Sequence, residues 1–160
     1  MKKFNVILMI ACICMCFAGC SKTREFDAKE KVIFAMLTCP NEELFSEDAV
    51  AIIGEGTEGK QDSEEIKKEQ EKIAENWEKK VGDAFAPGAL DKFLGESASF
   101  YLAQAQAEGK EISVKEIKSE EKSETTETFA VTILNGDVEE TVKIEFKYDE
   151  KDLIEEVSFK

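Results

Sequence analysis

Cys12, Cys14, Cys16 and Cys20 follow the spacing C-x-C-x-C-x3-C, a pattern that thiolate ligands of a metal centre could adopt. A second chemical candidate is Gly54-Glu55-Gly56-Thr57-Glu58-Gly59-Lys60, which matches G-x-G-x-x-G. It stops one residue short of a P-loop, because Gln61 stands where a Ser or Thr would meet magnesium. Glu55 and Glu58 would set negative charge against phosphates, and the next helix cap, Asp62-Ser63-Glu64-Glu65, comes only after the glycines. The segment therefore reads as a connection between helices rather than a nucleotide site. The acidic stretch 116–127 lacks both the D-x-D-x-D-G spacing and the sharp-turn glycine of a calcium loop, and reads as a solvated hairpin loop. The chain has no histidine, which excludes a Ser-His-Asp triad, a Cys-His pair and a His-ligated zinc. Catalysis would have to run on carboxylates, lysines or tyrosines. Without a histidine to activate it, Cys39 reads as a buried structural thiol. No metal or cofactor is implied.

The cysteines at the start of the chain have a different meaning in context. Lys2 and Lys3 form a positive patch, and residues 6–17 are apolar. That run is about a dozen residues, the length of a signal-peptide core and well short of the ~20 that span a bilayer. It ends in Phe17-Ala18-Gly19-Cys20, which resembles the lipobox of bacterial lipoproteins. The resemblance implies cleavage between Gly19 and Cys20, a diacylglyceryl group on the Cys20 thiol, and anchorage at the extracytoplasmic face of the cell membrane. A competing cut at Ile10-Ala11-Cys12 would leave an apolar core of only about eight residues and expose the apolar run 13–17. The alternatives are an ordinary secretory peptide or an uncleaved anchor helix. On the lipoprotein reading residues 1–19 are a signal peptide, 20–26 a lipidated tether and 27–160 a single domain. Three of the four clustered cysteines leave with the signal, the fourth carries lipid, and Cys39 has no partner for a disulfide.

Removing Lys2 and Lys3 leaves nineteen basic and thirty-five acidic residues, a net charge of −16. Nucleic-acid binding needs a basic face and is excluded. The length from Cys20 onward, 141 residues, suits one domain with a real core.

The elements that would position any site divide into a helical half and a strand half. Asp27-Ala28-Lys29-Glu30 reads as a capping box, followed by Val32, Ile33, Met36 and Leu37 on one helical face until Pro40. Asn41 would cap a short helix through Leu44 and Phe45, extending toward 49–53. Ile66, Ile73, Trp77, Val81 and Phe85 form one stripe of a long helix, with Glu64-Lys68 and Glu75-Lys79 at i,i+4. Pro87-Gly88 breaks the chain; Leu90, Phe93 and Leu94 start another helical stretch, carried on by Phe100, Tyr101 and the alanines to Ala107 and closed by Gly109. From Ile112 the period is two. Ile112 and Val114 open a strand, and 115–126 reads as charged and turn-containing. Phe129, Val131 and Ile133 then alternate, Asn135-Gly136 is a hairpin signal, and Val142, Ile144, Phe146 and Tyr148 alternate again. A turn over 149–152 leads to a last strand with Leu153, Val157 and Phe159. The predicted class is α+β, N-terminal helices packed on a C-terminal four-stranded antiparallel meander.

That order of elements, with Thr128-Phe129-Ala130-Val131-Thr132-Ile133, the Asn135-Gly136 turn, Val142-Lys143-Ile144-Glu145-Phe146 and Ile154-Glu155-Glu156-Val157, is similar to the cystatin-like/NTF2-like superfold of small Gram-positive lipoproteins. Such domains commonly form a pocket on the concave sheet face, for which Trp77, Phe100, Tyr101 and Tyr148 are the candidate lining here; the favoured reading is that the aromatic rings fill the core, because a domain of this size needs them for packing. The superfold transfers no function by itself. The resulting expectation is a non-catalytic, lipid-anchored binding module, with a cell-envelope protein or a small ligand as partner. The alternatives are a ligand binder or enzyme using the concave pocket, and a structural spacer or coat protein.

Overall fold

The computed structural model describes residues 26–45, 64–95, 102, 105 and 108–160. Helix α1, Ala28–Leu37, opens on the expected capping box: the Asp27 carboxylate accepts from the Glu30 N–H at 2.8 Å, and the Glu30 carboxylate accepts from the Asp27 N–H at 3.4 Å. Val32, Ile33, Ala35, Met36 and Leu37 are buried. At Cys39 the departing chain becomes an extra rung on the sheet, its N–H and C=O both bonded to Ile112, at 2.9 and 2.8 Å. The short helix expected after Asn41 is a single turn instead: the Asn41 carbonyl accepts from the Leu44 and Phe45 amides, and both side chains go into the core. Its expected extension toward 49–53, the glycine loop and the Asp62 cap lie outside the described residues.

Helix α2, Glu64–Val81, carries the expected stripe, with Ile66, Trp77 and Val81 buried and Ile73 partly so. Phe85, predicted on the same stripe, is not on the helix. The chain tightens into a 3-10 turn, Gly82–Ala84, and Phe85 is extended, bridged to Ile154, while the Ala86 N–H donates to the Ile154 carbonyl at 2.9 Å. Phe93 on α3, Ala89–Gly95, gathers both rings, with Trp77 edge-on at 5.4 Å and Phe85 at 5.7 Å. The Trp77 Nε1–H is buried without an acceptor among the described residues, and the indole serves there as bulk. Leu102 and Ala105 are helical and buried. Gly109, at φ +65°, then lets the Lys110 N–H reach the Ala105 carbonyl at 2.9 Å, a Schellman closure that a side chain at φ > 0 would strain.

Four strands follow in the order β1-β2-β3-β4, each antiparallel to its neighbour: β1 Ile112–Lys122, β2 Thr126–Asn135, β3 Val138–Tyr148 and β4 Ile154–Phe159. The charged segment read as loop is instead most of β1, and the turn is confined to 123–125, where the Ser123 hydroxyl accepts from the Thr125 and Thr126 amides at 3.3 and 3.0 Å. The cause is irregular pairing. Shifts between Val114 and Glu116 and between Ser119 and Glu121 insert Lys115 and Glu120 as extra residues. Each bulge resets the alternation, so the residues sharing a face with Val131, Phe129 and Glu127 are Ile117, Ser119 and Lys122. A regular period of two fails across both resets. The β2–β3 hairpin turns at Gly136 and Asp137, with φ +59° at Gly136. In β4 the buried residues are Ile154 and Val157, three apart, because the β3–β4 register also shifts at Tyr148; Leu153 precedes the strand and Phe159 is 40% exposed.

Phe129, Val131, Ile133, Ile144, Phe146 and Tyr148 face the helices from the centre of the sheet. The opposite face is polar and laced by exposed pairs such as Lys143–Glu120 at 2.7 Å and Lys115–Glu139 at 2.9 Å. Each contributes little, as exposed pairs do.

Candidate functional site

The inward alternation Ile133-Val131-Phe129 has one further step, and it lands on Glu127. This carboxylate is 6% exposed, the one buried charged residue among those described. Three elements converge on it. From β1 the Ser119 hydroxyl donates to Oε1 at 2.8 Å, and Lys122 Nζ lies 3.4 Å from Oε2. From the first turn of α1, Lys29 Nζ donates to Oε2 at 3.1 Å. From β3 the Tyr148 hydroxyl points at Oε2 from 3.5 Å. Lys29 also sits 4.3 Å above the Tyr148 ring centroid and 3.7 Å from Asp152 Oδ1, in the β3–β4 turn. A cation over an aromatic face and beside two carboxylates is favoured on both counts.

Burial alone would push the Glu127 pKa up. Hydrogen bonds from Ser119 and Lys29, with the charges of Lys29 and Lys122, outweigh it, and the carboxyl is held below the ordinary glutamate range. Tyr148 moves the other way: burial first, then the negative charges of Glu127, Asp152 and Asp27, push its phenol far above the ordinary tyrosine range. The pair is thus fixed as carboxylate and neutral phenol through the physiological range. Neither is poised to exchange a proton near neutrality, and both Glu127 oxygens are engaged. The arrangement pins the start of α1 to the sheet.

A pH dependence follows. Unfolded tyrosine loses its proton at about pH 10 whereas folded Tyr148 retains it, so the folded state binds more protons and stability falls as pH rises above that value. Tyr148→Phe is expected to change stability at pH 7 by less than about 1.5 kcal/mol, the scale of one net hydrogen bond. It should flatten the decline above about pH 10, measured by urea denaturation across the alkaline range.

Of the residues singled out for a pocket, Trp77 lies fully buried against Phe93 and Tyr148 is buried against Phe146 and Glu127. Phe100 and Tyr101 lie outside the described residues, as do Gly19 and Cys20. Lys29, Ser119 and Glu127 escaped sequence reasoning, although the phase of β2 contained the signal for Glu127. Cys39 is buried and burial pushes its thiol up, away from reactivity. The described residues hold no cluster of three or more His, Cys, Asp or Glu side chains able to grip a metal ion, and no described helix is long and apolar enough to cross a membrane.

An open groove of about 390 Å³ runs between the end of α1 and α2, lined by Phe34, Thr38, Pro40, Asn41, Glu42, Glu43 and Lys80. Lys80 and Glu43 are ion-paired across it, which lowers the Glu43 pKa. The fold is thus α+β, with three described helices before a four-stranded antiparallel meander. No protein-family model, curated protein or solved structure matches the chain.

Proposed function

We propose that this chain is a lipid-anchored, extracytoplasmic binding module without catalytic activity, held at the outer face of the cell membrane through Cys20. The anchor rests on Lys2-Lys3, the apolar run and Phe17-Ala18-Gly19-Cys20, in which charge, length and small residues agree. Two acyl chains suffice for stable attachment. The observation that favours binding over catalysis is the state of Glu127. Glu127 is the one buried charged residue among those described, and it is committed to Ser119, Lys29 and Lys122 rather than held free beside Tyr148 for chemistry. The open α1–α2 groove is the contact surface we assign to a partner, either a cell-envelope protein or a small ligand. The two bulges that curve β1 are in keeping with a cystatin-like/NTF2-like variant of the α+β fold.

Cys20→Ala in the full chain tests the anchor. The variant is expected to accumulate as unprocessed precursor or to leave the membrane fraction. A processed variant fully retained on membranes would contradict the reading.

A further inference from the structure

The outward stripe of α1 runs Asp27, Lys31, Phe34 and Thr38, the i, i+4, i+7, i+11 series, and Phe26 folds back over it with its ring 4.5 Å from that of Phe34. Phe26 is 40% exposed, so the stripe presents an aromatic pair to its surroundings. We infer that this flank of α1 is a membrane-contact surface, its two rings lodged in the headgroup layer of the bilayer that holds Cys20. The inference rests on the lipoprotein reading of Cys20 and specifies the domain's orientation.

Three observations carry it. Phe26 follows Cys20 by six positions, so its backbone is never more than about 22 Å from the anchor point. At the effective concentration such a tether imposes, even weak partitioning of two rings is enough. Charge is distributed to match. Residues 21–31 hold four basic side chains, Lys22, Arg24, Lys29 and Lys31, against three acidic ones, Glu25, Asp27 and Glu30, whereas residues 32–160 hold thirty-two acids against fifteen bases. An anionic leaflet repels the second part and tolerates the first, which turns α1 toward the lipid. The nearby acids are also occupied: Asp27 and Glu30 cap the helix, and Glu43 is paired with Lys80. Phe is among the residues that interfacial helices bury at the headgroup boundary. Phe34 also walls one end of the α1–α2 groove, so a ligand there would be met beside the bilayer.

The test uses the full chain, processed in cells and reconstituted into phosphatidylethanolamine–phosphatidylglycerol vesicles containing headgroup-proximal spin-labelled lipid. Phe26→Trp is compared with Phe159→Trp, which lies 40% exposed on β4, the sheet edge opposite the β1 strand that α1 packs against. Trp77 is fully buried and common to both proteins, so it serves as a shared background. Quenching and a blue shift at position 26 but not at 159 is the expected result. Equal quenching at the two positions, or access of aqueous iodide to position 26, would overturn the inference. Mass analysis of the N-terminal peptide from the same sample separates the two claims. Lipidated Cys20 with an unquenched position 26 defeats the orientation alone, whereas unlipidated Cys20 defeats both.

Discussion

Glu127→Ala is expected to lower stability by about 2–4 kcal/mol, read as a fall in the urea midpoint at neutral pH. Removing one member of a buried ionic cluster leaves the others uncompensated, and here the Lys29 ammonium, the Ser119 hydroxyl and the Tyr148 phenol would all lose their common acceptor. The lower end of the range reflects Lys29, whose side chain is 17% exposed and can swing partly into water. Glu127→Gln keeps the volume and one acceptor, and should fall between wild type and alanine. The acid limb gives a second readout. Because folded Glu127 has a lowered pKa, its contribution is fully present above the ordinary glutamate value of about 4.3 and is lost as pH falls through the lower folded value. Glu127→Gln should therefore flatten the acid limb just below that value. In a double-mutant cycle, Lys29→Ala and Glu127→Ala should couple by more than about 0.5 kcal/mol. Simple additivity would mean that the contact does not pin α1.

Phe146→Ala should cost about 3–5 kcal/mol, the usual loss for truncating a fully buried aromatic. The ring is 0% exposed and is held between Phe129 at 5.5 Å and Tyr148 at 6.4 Å, on a strand paired along both edges. The surrounding strands cannot close the void without breaking that pairing. By contrast, Phe159→Ala removes a ring that is already 40% exposed and should cost less than about 1.5 kcal/mol. Chemical denaturation of the two variants side by side measures the difference. Similar losses for both would argue against Phe146 as a centre of packing.

The α+β order was legible because regular periods announce themselves. The capping box at Asp27, the Ile66-to-Val81 stripe and the Gly109 stop lie where residue type and spacing put them, and the β2–β3 hairpin turns one residue later than an Asn135-Gly136 turn, because Asn135 still pairs with Val138. Misreadings fell where backbone irregularity breaks a period. After Ile112 and Val114 the strand pattern is lost, because Lys115 and Glu120 bulge out and reset the alternation, which also hides Ile117 as an inward residue. The register shift at Tyr148 changes the phase of β4, and the 3-10 turn that takes Phe85 off α2 leaves no mark in the apolar spacing. The Glu127 cluster was partly legible. The strand phase points Glu127 inward, but its partners come from residues 98 and 8 positions away, Lys29 and Ser119, and only the folded register brings them together. Trp77 and Tyr148 are packed among other rings, in keeping with the need of a domain of this size to use its aromatics as core.

Lys29 follows Cys20 by nine residues, and its ion pair with Glu127 pins the first turn of the helix into which the proposed tether would lead. The most direct test of a lipid-anchored module is the mass of the N-terminal peptide of the protein purified from membranes. The expected peptide begins at Cys20 and carries a diacylglyceryl thioether. A peptide beginning elsewhere, or Cys20 with a free thiol on a membrane-retained protein, would contradict it.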